Sequence, residues 1–133
     1  MIVKKAFPPN YEAICAKFDI RGRPGIIFTY GGTIYNPDGT DVSPDLHAHE
    51  EVHERQQRQL VGGPDAWWDL YIGSAEFRYS QELEAYRVQY GFAVQHYGRD
   101  QRRRVLKHIS RALAGPMYGN LMSPDAARRA ITS

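Results

Sequence analysis

His49-Glu50-Glu51-Val52-His53 is the segment that most limits what this chain can fold into. On an α-helix, residues four apart lie almost directly above one another, so His49 and His53 face the same way, with Glu50 one step round from His49. At about 100° per residue, Leu46, His49, Glu50, His53, Gln57 and Leu60 share one sector of a helix over residues 44–60. Ala48 and Val52 add only a weak apolar flank. An ordinary core helix fills such a sector with aliphatic side chains. Here it holds two imidazoles and a carboxylate, and burying even a neutral polar group unpaired costs about 2–7 kcal/mol. A divalent metal shared by the two histidines satisfies them in one step, and zinc suits such ligands. The competing reading is a chance pattern on a solvated helix. His47 lies about 100° off the sector and reads as a surface residue.

At 133 residues, with 42 % apolar and 12 % aromatic content, the chain has material for one small core, which predicts a single domain over residues 1–133. Seventeen Lys and Arg against fifteen Asp and Glu leave a formal charge of +2, too even to imply a nucleic acid or a membrane surface as partner. The lone Cys15 excludes an intrachain disulfide and suits a reducing compartment. With no base near it in sequence, it reads as a packing residue rather than a nucleophile. No stretch is apolar for long enough to span a membrane, and the first residues lack the apolar core of a secretion signal. The expectation is a soluble, cytoplasmic protein.

Local signals divide the chain into a hairpin and a series of helices. Asn10 opens a helix over residues 10–18, with Ile14, Cys15 and Phe18 inward. Residues 26–30 and 33–35, joined at Gly31-Gly32, predict a β-hairpin, and Asn36-Pro37-Asp38-Gly39 ends its second strand. Ser43-Pro44-Asp45 is a strong helix start, a capping serine followed by proline and a first-turn acid. That helix stops near Leu60, before Gly62-Gly63-Pro64. A short helix follows through Trp67, Trp68, Leu70 and Tyr71, the tryptophans reading as core anchors. Residues 74–97 form the longest helix, aromatic on several sides and so central and buried. Residues 99–114 are amphipathic, with Val105, Leu106, Ile109 and Leu113 inward, and a last turn or two of helix follows Pro124. Arg99, Arg102, Arg103, Arg104, Lys107 and Arg111 read as a solvated face, against the alternative of binding nucleic acid or an acidic partner.

A further ligand is available downstream. Ser80-Gln81-Glu82-Leu83-Glu84-Ala85-Tyr86 resembles the second ligand helix of the gluzincins, zinc peptidases in which a glutamate beyond H-E-x-x-H completes the site. In thermolysin-like members a small residue follows that glutamate at the third position and a polar one at the fourth. Glu82 has Ala85 and Tyr86 there, whereas Glu84 has Arg87 and Val88. Helix geometry agrees, because Ala75, Glu82, Ala85, Tyr86, Gln89 and Ala93 share a face and Glu84 lies opposite. Glu82 is the preferred ligand and Glu84 the alternative. The order hairpin, H-E-x-x-H helix, glutamate helix runs to about Gln89 and is similar to the minigluzincins, small peptidase-like proteins of phage and bacterial genomes. The fold class expected is α+β, mainly helical, with a short N-terminal hairpin or sheet beside the H-E-x-x-H helix and the glutamate helix.

The resemblance implies a zinc metalloendopeptidase acting on a peptide or protein substrate. Zn2+ would be held by His49, His53 and Glu82, with water in the fourth position and Glu50 as general base. Donors for the developing oxyanion are Tyr86 first, then Tyr79, His96 and Arg78. Many gluzincins carry an acid at the position of Tyr86 that hydrogen-bonds the first histidine, and tyrosine stands here instead. In such peptidases an extended substrate pairs with an edge strand, for which residues 33–35 are the candidate, Gly31 and Gly32 permitting close approach. The alternative is a zinc-stabilised structural or partner-binding protein with a peptidase-like but unproductive site. Glu50 argues against it, since a structural zinc takes four protein ligands and needs no base.

Overall fold

A computed structural model describes residues 1–133. Its elements are β1 (Ile2–Lys4), α1 (Tyr11–Lys17), β2 (Phe28–Tyr30), β3 (Thr33–Tyr35), α2 (Pro44–Gln59), α3 (Gly63–Gly73), α4 (Ala75–His96), α5 (Arg99–Leu113), a single 3₁₀ turn (Pro116–Tyr118) and α6 (Pro124–Thr132). This is the mainly helical α+β fold expected, with six helices and a small sheet. No helix is long and apolar enough to cross a membrane.

Capping chemistry accounts for some boundaries and not others. Ser74 Oγ accepts the backbone N–H of Phe77 at 3.1 Å to open α4, and Ser123 Oγ accepts that of Ala126 to open α6. Ser43 and Asn10 hold the capping positions of α2 and α1, but neither side chain accepts a capping bond. At the start of α2 the work falls to Pro44, whose missing N–H is no loss in a first turn, and to Asp45. Between α2 and α3 the chain reverses at Gly62, whose φ of +95° disfavours any side chain, and a Cβ there would stand 2.7 Å from Ala66 Cβ.

The hairpin forms as expected, β2 and β3 antiparallel with Thr29 opposite Ile34. Unforeseen in the sequence, Ile2–Lys4 adds a third strand parallel to β3, giving the order β1-β3-β2. Its side chains are exposed, so no alternation marks it. The extra strand places 33–35 at the centre of the sheet and corrects its assignment as the edge beside the site. The edge on that side is β2, and it is already occupied. Thr29 carbonyl oxygen accepts hydrogen bonds from Gln57 Nε2 at 2.8 Å and Trp68 Nε1 at 2.9 Å, and Gly31 N–H donates to Gln57 Oε1 at 2.7 Å. Gln57, fully buried on α2, behaves as a one-residue extension of the sheet.

Two apolar clusters flank the polar centre. One gathers Ile14, Ile20, Phe28, Trp67, Trp68 and Tyr71, with Cys15 and Phe18 half-buried against it. The other gathers Ile109, Leu113, Tyr118, Ala127 and Ile131. Between them α4 packs against α2, α3, α5 and α6. It is central, as expected, yet its buried stripe is Arg78, Glu82, Ala85, Gln89 and Ala93 rather than its aromatics. Ala85 and Ala93 are fully buried and let neighbouring helices approach closely, while Ala75, in the first turn, is exposed. On α2, Val52 is buried completely, and Leu46 and Leu60 only in part.

Replacing Gln57 by leucine leaves the Gly31 N–H without its partner and weakens the hold on Thr29. A loss of about 1–3 kcal/mol is expected in chemical denaturation. Trp67→Ala should cost about 3–5 kcal/mol through the cavity it leaves.

Candidate metal centre

Two turns of α2 and the middle of α4 bring three ligand-type atoms together. His49 Nε2 and His53 Nε2 are 3.1 Å apart, and Glu82 Oε1 lies 3.0 Å from the first and 2.9 Å from the second. A four-coordinate ion about 2.0–2.1 Å from each ligand holds neighbouring ligand atoms about 3.3 Å apart, so this triangle needs only slight expansion. Glu84, the alternative ligand, is exposed and stays outside the cluster, where it accepts a hydrogen bond from Gln56 Nε2 at 2.8 Å and pairs with Arg55.

Two glutamines decide which imidazole nitrogens carry hydrogen. Gln56 Nε2 donates to the Gln81 carbonyl at 3.0 Å and to Glu84, both acceptors only. Its Oε1 therefore faces His53 Nδ1, at 2.9 Å, and that nitrogen must be the donor. Gln89 Nε2 likewise donates to Asp45 Oδ2 at 2.8 Å, which turns Gln89 Oε1 toward His49 Nδ1 at 2.9 Å. Asp45 is fixed in turn by the Tyr97 hydroxyl at 2.8 Å. With hydrogen on both Nδ1 atoms, each neutral ring presents an Nε2 lone pair to the same point as a carboxylate oxygen. Three converging acceptors need a cation between them.

The other oxygen of Glu82 is held by phenols. Tyr71 donates to Oε2 at 2.6 Å and Tyr118 at 3.1 Å. Burial, reinforced by the charge of Glu82, raises both phenols well above their ordinary pKa, so they remain donors. Burial would also raise the Glu82 carboxyl, but the two histidines outweigh it and hold the group well below the usual carboxylate range. For His53, burial opposes protonation and the Glu82 charge overcomes it, raising the imidazole to about 9 when a proton takes the place of a metal.

Glu50 lies beside this network without bonding to it, its carboxylate within 4.8 Å of the ligand nitrogens of His49 and His53. Its Oε2 is 3.9 Å from His49 Nε2, it is 5 % exposed, and it accepts no hydrogen bond. Burial raises its pKa. A cavity of about 230 Å³ opens over His49, Glu50, His53 and Glu82, walled mainly by apolar groups including Ile20, Phe28, Leu46 and Trp68.

Of the four donors expected around the site, only Tyr86 is there, its ring centroid 4.7 Å from that of His49. Tyr79 turns into the second apolar cluster, its hydroxyl 4.0 Å from Met122 Sδ. His96 is exposed and packs on Phe92, fourteen residues and so about 21 Å along α4 from Glu82. Arg78 is buried but spends its donors on the carbonyls of Tyr71, Ile72 and Met117. His47 pairs with Glu51 at the surface. The partner for the first histidine is Gln89, one turn beyond Tyr86. Gln89 falls on the Glu82 face in the sequence pattern, whereas that pattern places Gln57 in the histidine sector and leaves Gln56, the partner of His53, unmarked. Tyr71 and Tyr118 carried no local signal.

Comparison with protein-family models, with curated proteins and with solved structures gave no match. The fold and site thus define a small helical α+β protein with a buried His-His-Glu cluster of metal-ligand type.

Tyr71→Phe and Tyr118→Phe remove the donors that leave Glu82 one free oxygen. Where the cluster takes up an added divalent metal, each is expected to weaken that affinity by about 10-fold or more in chelator competition, as does Gln89→Leu, which releases the His49 tautomer. Unchanged affinity in all three would disconnect these groups from the metal.

Proposed function

We propose that this protein is a zinc-dependent peptide hydrolase of the gluzincin type, with His49, His53 and Glu82 as metal ligands and Glu50 as general base. The observation that carries the reading is the pairing of a three-atom ligand set with a buried carboxylate that has no hydrogen-bond partner of its own. A metal held only for stability has no use for Glu50 beside it.

When bound, zinc supplies a water of lowered pKa and polarises a carbonyl. Glu50 takes the proton from the attacking water and returns it to the leaving amine. Tyr86, kept protonated by burial and then by the charge of Glu82, offers a neutral donor beside His49 for charge developing on the substrate oxygen. Gln56 and Gln89 hold the imidazoles, and Tyr71 and Tyr118 hold Glu82, so the ligand atoms are set before metal or substrate arrives. The Thr29 hydroxyl, buried and without a partner, lines the same cavity and supplies a further polar contact for a substrate.

A second reading is favoured by one observation. The β2 edge, where an extended peptide would pair, already accepts from Gln57 and Trp68 at the Thr29 carbonyl, the adjoining Gly31 N–H donates to Gln57, and the four site residues are only 5–7 % exposed. This suits a metal-stabilised protein with a peptidase-like but unproductive site.

The two readings separate on zinc content and on cleavage of an unstructured protein. Wild type should carry one zinc and cleave. Glu50→Gln should keep the metal and lose about 10²-fold or more in rate, and Glu82→Ala should lose the metal. Equal behaviour of wild type and Glu50→Gln on every substrate would leave only the structural reading, and full zinc occupancy in Glu82→Ala would remove it from the ligand set.

A further inference from the structure

The near-even charge of the whole chain conceals a sharp division. Residues 99–133 hold eight of the seventeen Lys and Arg but only two of the fifteen Asp and Glu, a formal balance of +6, and residues 1–98 balance at −4. Within α5, Arg99, Arg103, Lys107 and Arg111 stand at successive four-residue steps and so form one row along the helix. Like charges at that spacing destabilise a helix. Elsewhere most surface arginines are compensated, Arg21 by Glu12, Arg23 by Asp19, Arg55 by Glu84 and Arg58 by Glu54, with Arg87 the exception. None of the eight cations beyond residue 98 forms an ion pair.

The row borders an open cleft of about 780 Å³ between α5 and α6. Arg103, Arg104, Lys107 and Arg111 line it from α5 and Arg128 from α6, together with two acids, Asp100 in the first turn of α5 and Asp125 in the first turn of α6, so cations outnumber anions five to two. Ser110 also lines it, 3 % exposed, with a hydroxyl that has no hydrogen-bond partner. The apolar face of α5, Ile109 and Leu113, is buried in the core, so the only apolar residues of the cleft are Leu106 and Pro124.

We propose that this cleft binds the phosphate backbone of a nucleic-acid duplex, without reading its sequence. Its cations are mostly arginine, whose planar fork matches phosphate oxygens. A row advancing about 6 Å per four-residue step presents charges in series to a repeating polyanion rather than converging on one small ion. An acidic protein partner would call for an apolar or aromatic centre to the interface, and a membrane surface for several apolar side chains to insert; the cleft has only Leu106 and Pro124 and no aromatic. It also has no aromatic on which unpaired bases could stack, which selects a duplex over a single strand. This inference is independent of the metal centre and stands if the hydrolase reading fails.

The test is binding of a labelled mixed-sequence DNA duplex to the full chain across a salt series, read by fluorescence anisotropy. Engagement of all five cations gives a slope of log affinity on log salt on the order of −4 to −5. The triple variant Arg103→Ala, Lys107→Ala, Arg111→Ala should reduce that slope by about 3 and weaken low-salt binding by about 10²-fold. It should also melt at or above the wild-type temperature, because it relieves repulsion within α5. The charge-matched triple Lys4→Ala, Lys17→Ala, Lys5→Ala removes three exposed cations elsewhere and should bind like wild type. The proposal is overturned if the two triples lose affinity equally or if the duplex is not bound at low salt. It is also overturned if polyglutamate or vesicles containing phosphatidylserine bind through the same residues as tightly as the duplex.

Discussion

The carboxylate of Glu82 is the point through which this structure is joined. One oxygen meets His49 and His53 of α2, and the other accepts hydroxyls from Tyr71 on α3 and Tyr118 in the 3₁₀ turn. Tyr71 belongs to one apolar cluster and Tyr118 to the other, so a single buried anion links the two halves of the core. Taking a carboxylate out of water is expensive, and only a full set of partners offsets it. The four partners found here use the oxygens completely when a cation joins the histidines.

Preorganisation follows from the same arrangement. Amide side chains rather than carboxylates orient the imidazoles, through Gln56 and Gln89, and each amide is anchored by an acid or a backbone carbonyl behind it. Neutral outer partners leave the His49, His53 and Glu82 set with one formal negative charge, from Glu82. The cost is a crowded, well-covered centre. Gln57 and Trp68 close the sheet edge that would otherwise lie open beside it, leaving the apolar cavity as the space in front of Glu50.

Much of this was legible in the residues. The helix carrying His49 and His53 follows from 3.6-residue periodicity and from proline and glycine punctuation. The choice of Glu82 over Glu84 came from the resemblance to a gluzincin ligand helix, with which helix geometry agrees, and the burial of Trp67 and Trp68 from their large apolar rings. The buried stripe of α4 was harder. Arg78, Glu82 and Gln89 make its inner face polar, so aromatics on its other sides suggested the wrong reason for a correct central placement.

What the sequence determined by itself was therefore local: which segments are helical, and which polar side chains share one face. Tertiary structure alone decided the rest. Tyr71 and Tyr118 reach Glu82 from 11 and 36 residues away, and Gln89 reaches His49 from 40. Strand β1 pairs with β3 across some thirty residues, a separation carried by its register of Ile2 with Thr33, and that pairing makes 33–35 central rather than an edge. Such partners meet because apolar burial brings their elements together, and a periodic pattern within one element holds no information about which distant hydroxyl or amide will arrive opposite it.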